Sequence, residues 1–207
     1  MMPPVHATTT LGANDRSLLR GADEVVGVDE VGRGALAGPV VVCAAAFSSI
    51  PDDPRVRDSK ELGPAMREEV ARSLVDGGMR WAVCEIWVEL IDRVNILEST
   101  RLAMAAVIRT LASPSSVAVT DHVDPGDVGC EVHSPKKADR DYFSVAAASI
   151  VAKVHRDRLM VELARKHPAW AWQKNKGYGT VDHRKALQTV GPSRWHRVSF
   201  RWSPVLP

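Results

Sequence analysis

Three cysteines, two tyrosines and no apolar run of membrane-spanning length set the first limits on this 207-residue chain. Cys43, Cys84 and Cys130 form an odd, widely spaced set without a C-x-x-C pair. That argues against a disulfide framework or a zinc site, and for small core residues in a reducing cytoplasm. No stretch approaches the roughly 20 apolar residues of a membrane helix. The opening MMPPVHATTTLGAND lacks a basic start followed by an apolar core, so no secretory signal is expected. Internal repeats and low-complexity tracts are also absent, which excludes solenoids and arrays.

What is present fits one compact domain: 45% hydrophobic residues and 25% charged ones. The net charge of +2 hides an asymmetry. Residues 151–207 hold 12 Lys or Arg against 3 Asp or Glu, a balance of +9, so residues 1–150 carry −7. Four of the six tryptophans, Trp170, Trp172, Trp195 and Trp202, lie in the basic stretch. A basic aromatic segment beside an acidic body suggests a polyanion held over carboxylates. A solvated basic tail with its tryptophans packed inward is an equal reading at this point.

Periodicity sketches an α/β chain. Residues 1–22 read as a loose, flexible leader. Val25–Val28 is a short strand running into Asp29-Glu30, and Pro39–Phe47, rich in valine, is a second. Ser48–Arg57 is a loop bearing prolines and aspartates. Leu62, Met66, Val70 and Leu74 predict a helix led in by Asp58-Ser59-Lys60, with Asp58 or Ser59 fitting an N-cap. Arg80–Val88 alternates as a third strand, and Glu89–Leu111 reads as one long amphipathic helix. Strands at Val117–Thr120 and Gly129–His133, a helix over Ser144–His167, and short helices and loops complete the chain. Two early strands without an intervening helix predict an antiparallel pair. The later strand–helix alternation predicts parallel pairing, so a mixed sheet flanked by helices follows.

Acidic residues fall at element ends, where α/β sheets place their sites. Asp29 and Glu30 end the first strand, Asp121 ends the fourth, and Asp139 precedes the second long helix. Converging carboxylates repel one another unless cations bind or some stay protonated. Hard oxygen ligands select Mg²⁺ or Mn²⁺, and two ions roughly 4 Å apart would serve phosphodiester hydrolysis. Any one of these residues alone is more often the solvated start of a loop. Neighbouring strand residues also point to opposite faces, so the strand is expected to end or bend at Asp29-Glu30.

Gly32, Gly34 and Gly38 do not match G-x-G-x-x-G, and two preceding carboxylates would repel a pyrophosphate. Gly32 and Gly34 would instead let the backbone approach a sugar–phosphate chain, with Arg33 contacting phosphate. A turn requiring positive φ is the commoner reason for a glycine. In NKGYGT, Tyr178 between two glycines is expected to be exposed and able to stack on a base or sugar. The alternative is a core tyrosine with its hydroxyl bonded. His183 reads as a proton carrier or, more commonly, a hydrogen-bonded structural histidine.

Together these segments resemble the type 2 ribonucleases H. VVGVDEVGRGALAGPVVV, DSKEL, LIDRVNILESTRLAM, the strand ending at Asp121, KKADRDYFSVAAASIVAKVHRDR, NKGYGTVDH and GPSRWHRVSF are similar to that family's motifs, in order, over about residues 24–202. The resemblance implies a ribonuclease H-like mixed five-stranded sheet flanked by helices, with a C-terminal helical extension. It implies a catalytic core over 23–168 and a basic substrate-binding extension over 169–207. Asp29, Glu30, Asp121 and Asp139 take the catalytic, metal-ligating positions, for two Mg²⁺ or Mn²⁺ ions. Gly32, Arg33, Gly34, Ser59, Lys60 and Tyr178 take substrate-binding positions, with the glycine-arginine-glycine backbone sensing the 2′-hydroxyl that distinguishes RNA from DNA.

The implied activity is hydrolysis of the RNA strand of RNA–DNA hybrids, and cleavage 5′ of single ribonucleotides in duplex DNA. It leaves a 3′-hydroxyl and a 5′-phosphate. The implied roles are ribonucleotide excision and primer removal, by a cytoplasmic monomer. Ribonuclease HIII is the rival within the fold; it usually carries a further N-terminal domain, for which 22 leader residues are too few. A binder without catalysis would gain nothing from four acidic residues beside phosphates. Three departures stand out: Ala35 replaces a common proline, His122 stands where the family often has glycine, and Asp124 and Asp141 offer acidic alternatives to Asp121 and Asp139.

Overall fold

The computed structural model describes residues 11–200. Five strands form one mixed sheet in the order β3-β2-β1-β4-β5. Strand β2 (Val40–Phe47) runs antiparallel to both its neighbours, β1 (Glu24–Val31) and β3 (Arg80–Ile86), while β4 (Ser116–Thr120) pairs in parallel with β1 and β5 (Glu131–His133) in parallel with β4. This is the predicted mixed sheet, with β1 and β2 an antiparallel pair that no helix separates; β2 and β3 are antiparallel although a helix lies between them, and β4 and β5 are parallel with only a loop between them.

Strand β2 is buried along its whole length because both of its faces are covered. Cys43, Ala45 and Phe47 pack toward α2 (Pro64–Asp76) and the long helix α6 (Phe143–Lys166). Val42, Ala44 and Ala46 pack with α4 (Ile96–Leu111) on the opposite face. Gly27 explains how closely α6 lies on β1: a Cβ there would meet the Ser144 backbone at 2.1 Å. All three cysteines are free; Cys43 is buried, and Cys84 and Cys130 are half-buried at the edge of the core.

Three expectations need correction. The loose leader is ordered over its second half, where α1 (Ala13–Leu18) forms. Its buried Asp15 accepts the amides of Phe143 and Ser144 at 2.8 and 3.1 Å. Helix α6 has no capping side chain of its own at Tyr142, so Asp15 caps it from 128 residues away. Residues 1–10 and Trp202 lie outside the described residues. The helix predicted over Glu89–Leu111 is two: α3 (Val88–Val94) and α4, broken at Asn95. Asn95 adopts φ +73° and its side chain accepts the amides of Leu97 and Glu98, so it ends one helix and starts the next. Helix α2 begins at Pro64, with Gly63 at its N-cap, rather than after Asp58 or Ser59; Asp58 instead closes a separate turn, its carboxylate accepting the amide of Lys60 at 3.0 Å and its carbonyl that of Glu61 at 2.9 Å.

Beyond α6 the chain makes a short 3-10 turn, α7 (Trp172–Asn175) and α8 (Val181–Val190). Trp170, Trp172 and Trp195 pack with His167, His183 and His196 in one aromatic cluster. These tryptophans therefore build the extension rather than face a ligand, which is the inward-packed alternative.

Candidate active site

Strand β1 does not end at Asp29-Glu30; it runs to Val31, still paired with β2. What ends is its other neighbour. The parallel register with β4 stops at Val28↔Thr120, so Asp29 lies level with Asp121, the first residue past β4. The sheet is open there, and residues from both of its faces reach the same rim. Asp121 accepts the Ala138 amide at 3.0 Å, which ties it to the start of the short helix α5 (Ala138–Asp141) and brings Asp139 alongside.

Asp29, Glu30, Asp121 and Asp139 therefore line one cavity of about 460 Å³. Its remaining walls are Val31, Gly32, Arg33, Gly34, Ser59, Lys60, Ser149, Lys153 and Tyr178. The four expected metal ligands and the six expected substrate-binding residues all line it. Asp141 and Asp124 are exposed and outside the cavity, and the Asp124 carboxylate is occupied by the amide of Gly126. His183 is not in it either. It is buried, its Nδ1–H donates to the Tyr178 carbonyl, and its Nε2 accepts from Trp172. Burial lowers its pKa, so it stays neutral as a structural residue.

The carboxylates are held in an uncomfortable state. Burial, then the charge of Glu30, holds Asp29 well above the usual carboxylate range, although Ser149 hydrogen-bonds it. Burial raises Glu30 as well, against the pull of Arg33 at 3.2 Å. Asp139 is raised by burial and then by Asp121, and Lys60 stands 3.8 Å from it. Glu30 Oε2 is buried without a hydrogen-bond partner, a condition that costs about 1–3 kcal/mol. Among the described residues no three such side chains close into a tight ligand cluster; the four face one another across the cavity. Hard, desolvated carboxylate oxygens with an orphaned acceptor are the donor set a divalent cation satisfies.

Ser149 and Lys153 were not singled out from the sequence. They stand four apart on α6, and the Ser149 hydroxyl bridges Ser59, at 3.0 Å, to Asp29. Two polar residues at i, i+4 within an alanine-rich helix were the available signal. The two cavity glycines differ. Gly32 has φ +91°, and a Cβ there would meet the Arg156 guanidinium at 2.2 Å, so the protein itself requires glycine. Gly34 has neither constraint, and a Cβ there would meet nothing within 4 Å. Tyr178 is half-buried at the rim, with Lys153 Nζ and the Arg156 guanidinium 5.8 and 5.3 Å from its ring centre. Larger cavities lie between α2, β3 and α6 and beside Arg55, where Glu85 pairs with His155, Glu24 with Arg80 and Asp53 with Arg55.

A mixed five-stranded sheet with acidic residues gathered past its central strand ends defines the class: a nuclease of the ribonuclease H-like fold. Comparison with known proteins makes the family specific. A sequence model described as Ribonuclease HII matches residues 26–203. The Ribonuclease HII of Rhodospirillum rubrum is 44% identical over 181 residues, covering 85% of this chain and 83% of that protein. Among solved structures, the ribonuclease HII of Archaeoglobus fulgidus, determined in complex with PCNA, superposes with a TM-score of 0.73 at 28% identity, covering 86% of this chain and 95% of that one. The ribonuclease H2 of Pyrococcus horikoshii follows with a TM-score of 0.68 at 25% identity, covering 86% and 94%. This chain belongs to the ribonuclease HII family. It is an enzyme, a divalent-metal-dependent endoribonuclease acting on RNA–DNA hybrids. Among the described residues no helix is long and apolar enough to cross a membrane.

Proposed function

We propose that this enzyme cuts on the 5′ side of ribonucleotides paired in duplex DNA, single embedded ones included, with two Mg²⁺ or Mn²⁺ ions held by Asp29, Glu30, Asp121 and Asp139. The observation that carries the reading is the shared cavity: four carboxylates, three of them desolvated and one with an orphaned oxygen, face a rim of backbone that nothing in the protein fills. When bound, the ions supply a nucleophile at neutral pH and stabilise the leaving oxygen.

The protein residues do the rest. Asp29 is steadied by Ser149 and Asp121 by the amide of Ala138, so ligand oxygens start from fixed positions. Gly34 leaves space for a sugar, and among the described residues the amides of Arg33 and Gly34 donate to nothing, which suits them to contact a 2′-hydroxyl or phosphate. Tyr178 stacks on the sugar after the ribonucleotide, while Lys60 and Ser59 meet phosphate. The basic extension over 169–200 holds the duplex backbone. Water attacks phosphorus and the P–O3′ bond breaks, leaving a 3′-hydroxyl and a 5′-phosphate; the 2′-hydroxyl is read but does not react. Excision of misincorporated ribonucleotides and removal of RNA primers, by a cytoplasmic monomer, follow from that activity. The test is cleavage of a hybrid with and without chelator by wild type and by Asp29→Asn, Asp121→Asn and Asp139→Asn. Each substitution is expected to abolish activity in a folded protein. A variant as active as wild type removes that residue from the site.

A further inference from the structure

Two arginines outside the cavity are fully buried, and among the described residues neither has a carboxylate within ion-pair distance. Buried guanidinium groups ordinarily take an acidic partner. These two take backbone carbonyls instead. Arg156 donates from Nε to Pro39, from Nη1 to Lys176 and from Nη2 to Ala37, at 2.9, 2.9 and 3.1 Å. Arg197 donates from Nε and Nη2 to Gly38, at 3.1 and 2.9 Å, and from Nη1 to Arg33 at 2.8 Å. Five carbonyls are thus held, four of them in the segment 33–39 that follows Gly32 and the fifth next to the Gly177-Tyr178 turn.

The same elements are sewn together through their amides. Leu36 and Ala37 donate to the Gly177 carbonyl, Gly38 to Trp195, and Arg197 to Leu36. A Cβ on Gly177 would strike the Ala37 carbonyl at 2.4 Å, so the two backbones are in direct contact. The Arg156 plane also lies against the Tyr178 ring. With the carbonyls of residues 33 and 36–39 so engaged, the amides of Arg33 and Gly34 are left without an acceptor among the described residues. A planar fork with five donors can hold three carbonyls at fixed angles; an ammonium cannot. Burial and the neighbouring Arg156 charge lower Arg197 to about 9, so it remains charged at neutral pH.

We propose that Arg156 and Arg197 are positioning residues for ribonucleotide recognition, pinning the Gly32–Pro39 loop and the Tyr178 turn into one rigid reading head. This rests on the reading that Gly34 and Tyr178 contact the ribonucleotide junction. The fork supplies the positioning and the charge alone does not, so lysine fails to substitute for either arginine.

The experiment compares Arg156→Lys, Arg197→Lys and Tyr178→Ala with wild type in three measurements. These are amide hydrogen exchange at Leu36, Ala37 and Gly38, melting temperature, and kcat and KM on a duplex with one ribonucleotide and on a continuous RNA–DNA hybrid. Each lysine variant is expected to melt near wild type and to lose protection at those amides. It should lower single-ribonucleotide cleavage relative to hybrid cleavage by about tenfold or more, mainly through kcat, as misorientation does. Unchanged exchange and an unchanged ratio in both variants overturn the proposal. So does a uniform loss on both substrates with a lowered melting temperature, or failure of both variants to fold, since either means a purely structural role. If Tyr178→Ala shows the selective loss and the lysine variants do not, the pinning fails and the recognition reading stands. If the lysine variants loosen the amides while Tyr178→Ala leaves the ratio unchanged, the recognition reading fails and takes the specificity claim with it.

Discussion

Replacing Asp29 with asparagine should make the metal-free protein more stable while destroying its response to metal. Asp29 is buried, and its pKa stands well above the ordinary value through burial and the charge of Glu30. In the unfolded chain the group titrates near 4. Below that range both states hold the proton and no penalty exists. As pH rises toward the folded value, the unfolded chain gives up its proton freely while the native site must ionise against its surroundings, so stability falls. Asparagine removes the ionisation and keeps the shape and an acceptor for Ser149. Its advantage should be absent in acid, appear above about pH 4, and be largest at neutral pH. For a chain of this length each kcal/mol relieved raises the melting temperature by about 2–4 °C. A bound ion reverses the balance in wild type: at about 100 times its Kd it adds roughly 2.7 kcal/mol, or on the order of 5–11 °C. Thermal melting of both proteins in chelator and in Mg²⁺, at several pH values, reads all of this. A variant that melts below wild type in chelator at neutral pH, and still gains as much from Mg²⁺, refutes the reasoning.

Asp139→Asn should abolish cleavage and Asp141→Asn should leave it near wild type, because only Asp139 faces the cavity; the reverse pattern in a hybrid-cleavage assay moves the ligand to Asp141. Gly34→Ala should melt within about 0.5 kcal/mol of wild type yet lose activity on both substrates, while Gly32→Ala, at φ +91° and against Arg156, should unfold more readily; full activity in Gly34→Ala shows that no ligand comes close there. Hybrid binding should weaken linearly in log salt with a slope of about −0.9 per phosphate neutralised, and a flat response removes the electrostatic role given to the basic extension.

Much of the site was legible because strand ends, acidic residues and glycines mark themselves locally. Asp29, Glu30, Asp121 and Asp139 each sit at an element end in the sequence, and the sheet register then makes Asp29 and Asp121 neighbours. The difficulty of two adjacent strand carboxylates was real, but its solution was the shortness of β4, which no residue of β1 announces. Asp15 was illegible for a related reason: a lone aspartate in a polar leader has no period, and its partners lie 128 and 129 residues away. Asn95 broke a helix that apolar spacing carried straight through, because one residue in a left-handed conformation overrides the pattern on either side. Arg156 looked like one charge among many on a basic helix; only the packed structure reveals that it faces inward, onto carbonyls.

The central claim is that this site reads a single ribonucleotide in DNA and cuts before it with divalent ions. The direct measurement is to incubate the purified enzyme with end-labelled duplex DNA holding one ribonucleotide, in Mg²⁺, in Mn²⁺ and in chelator, and to map the cut and its ends. The account predicts one cut on the 5′ side of the ribonucleotide, a 3′-hydroxyl and a 5′-phosphate, and none in chelator. A cut on its 3′ side, a cyclic phosphate end, or cleavage that survives chelation would contradict it.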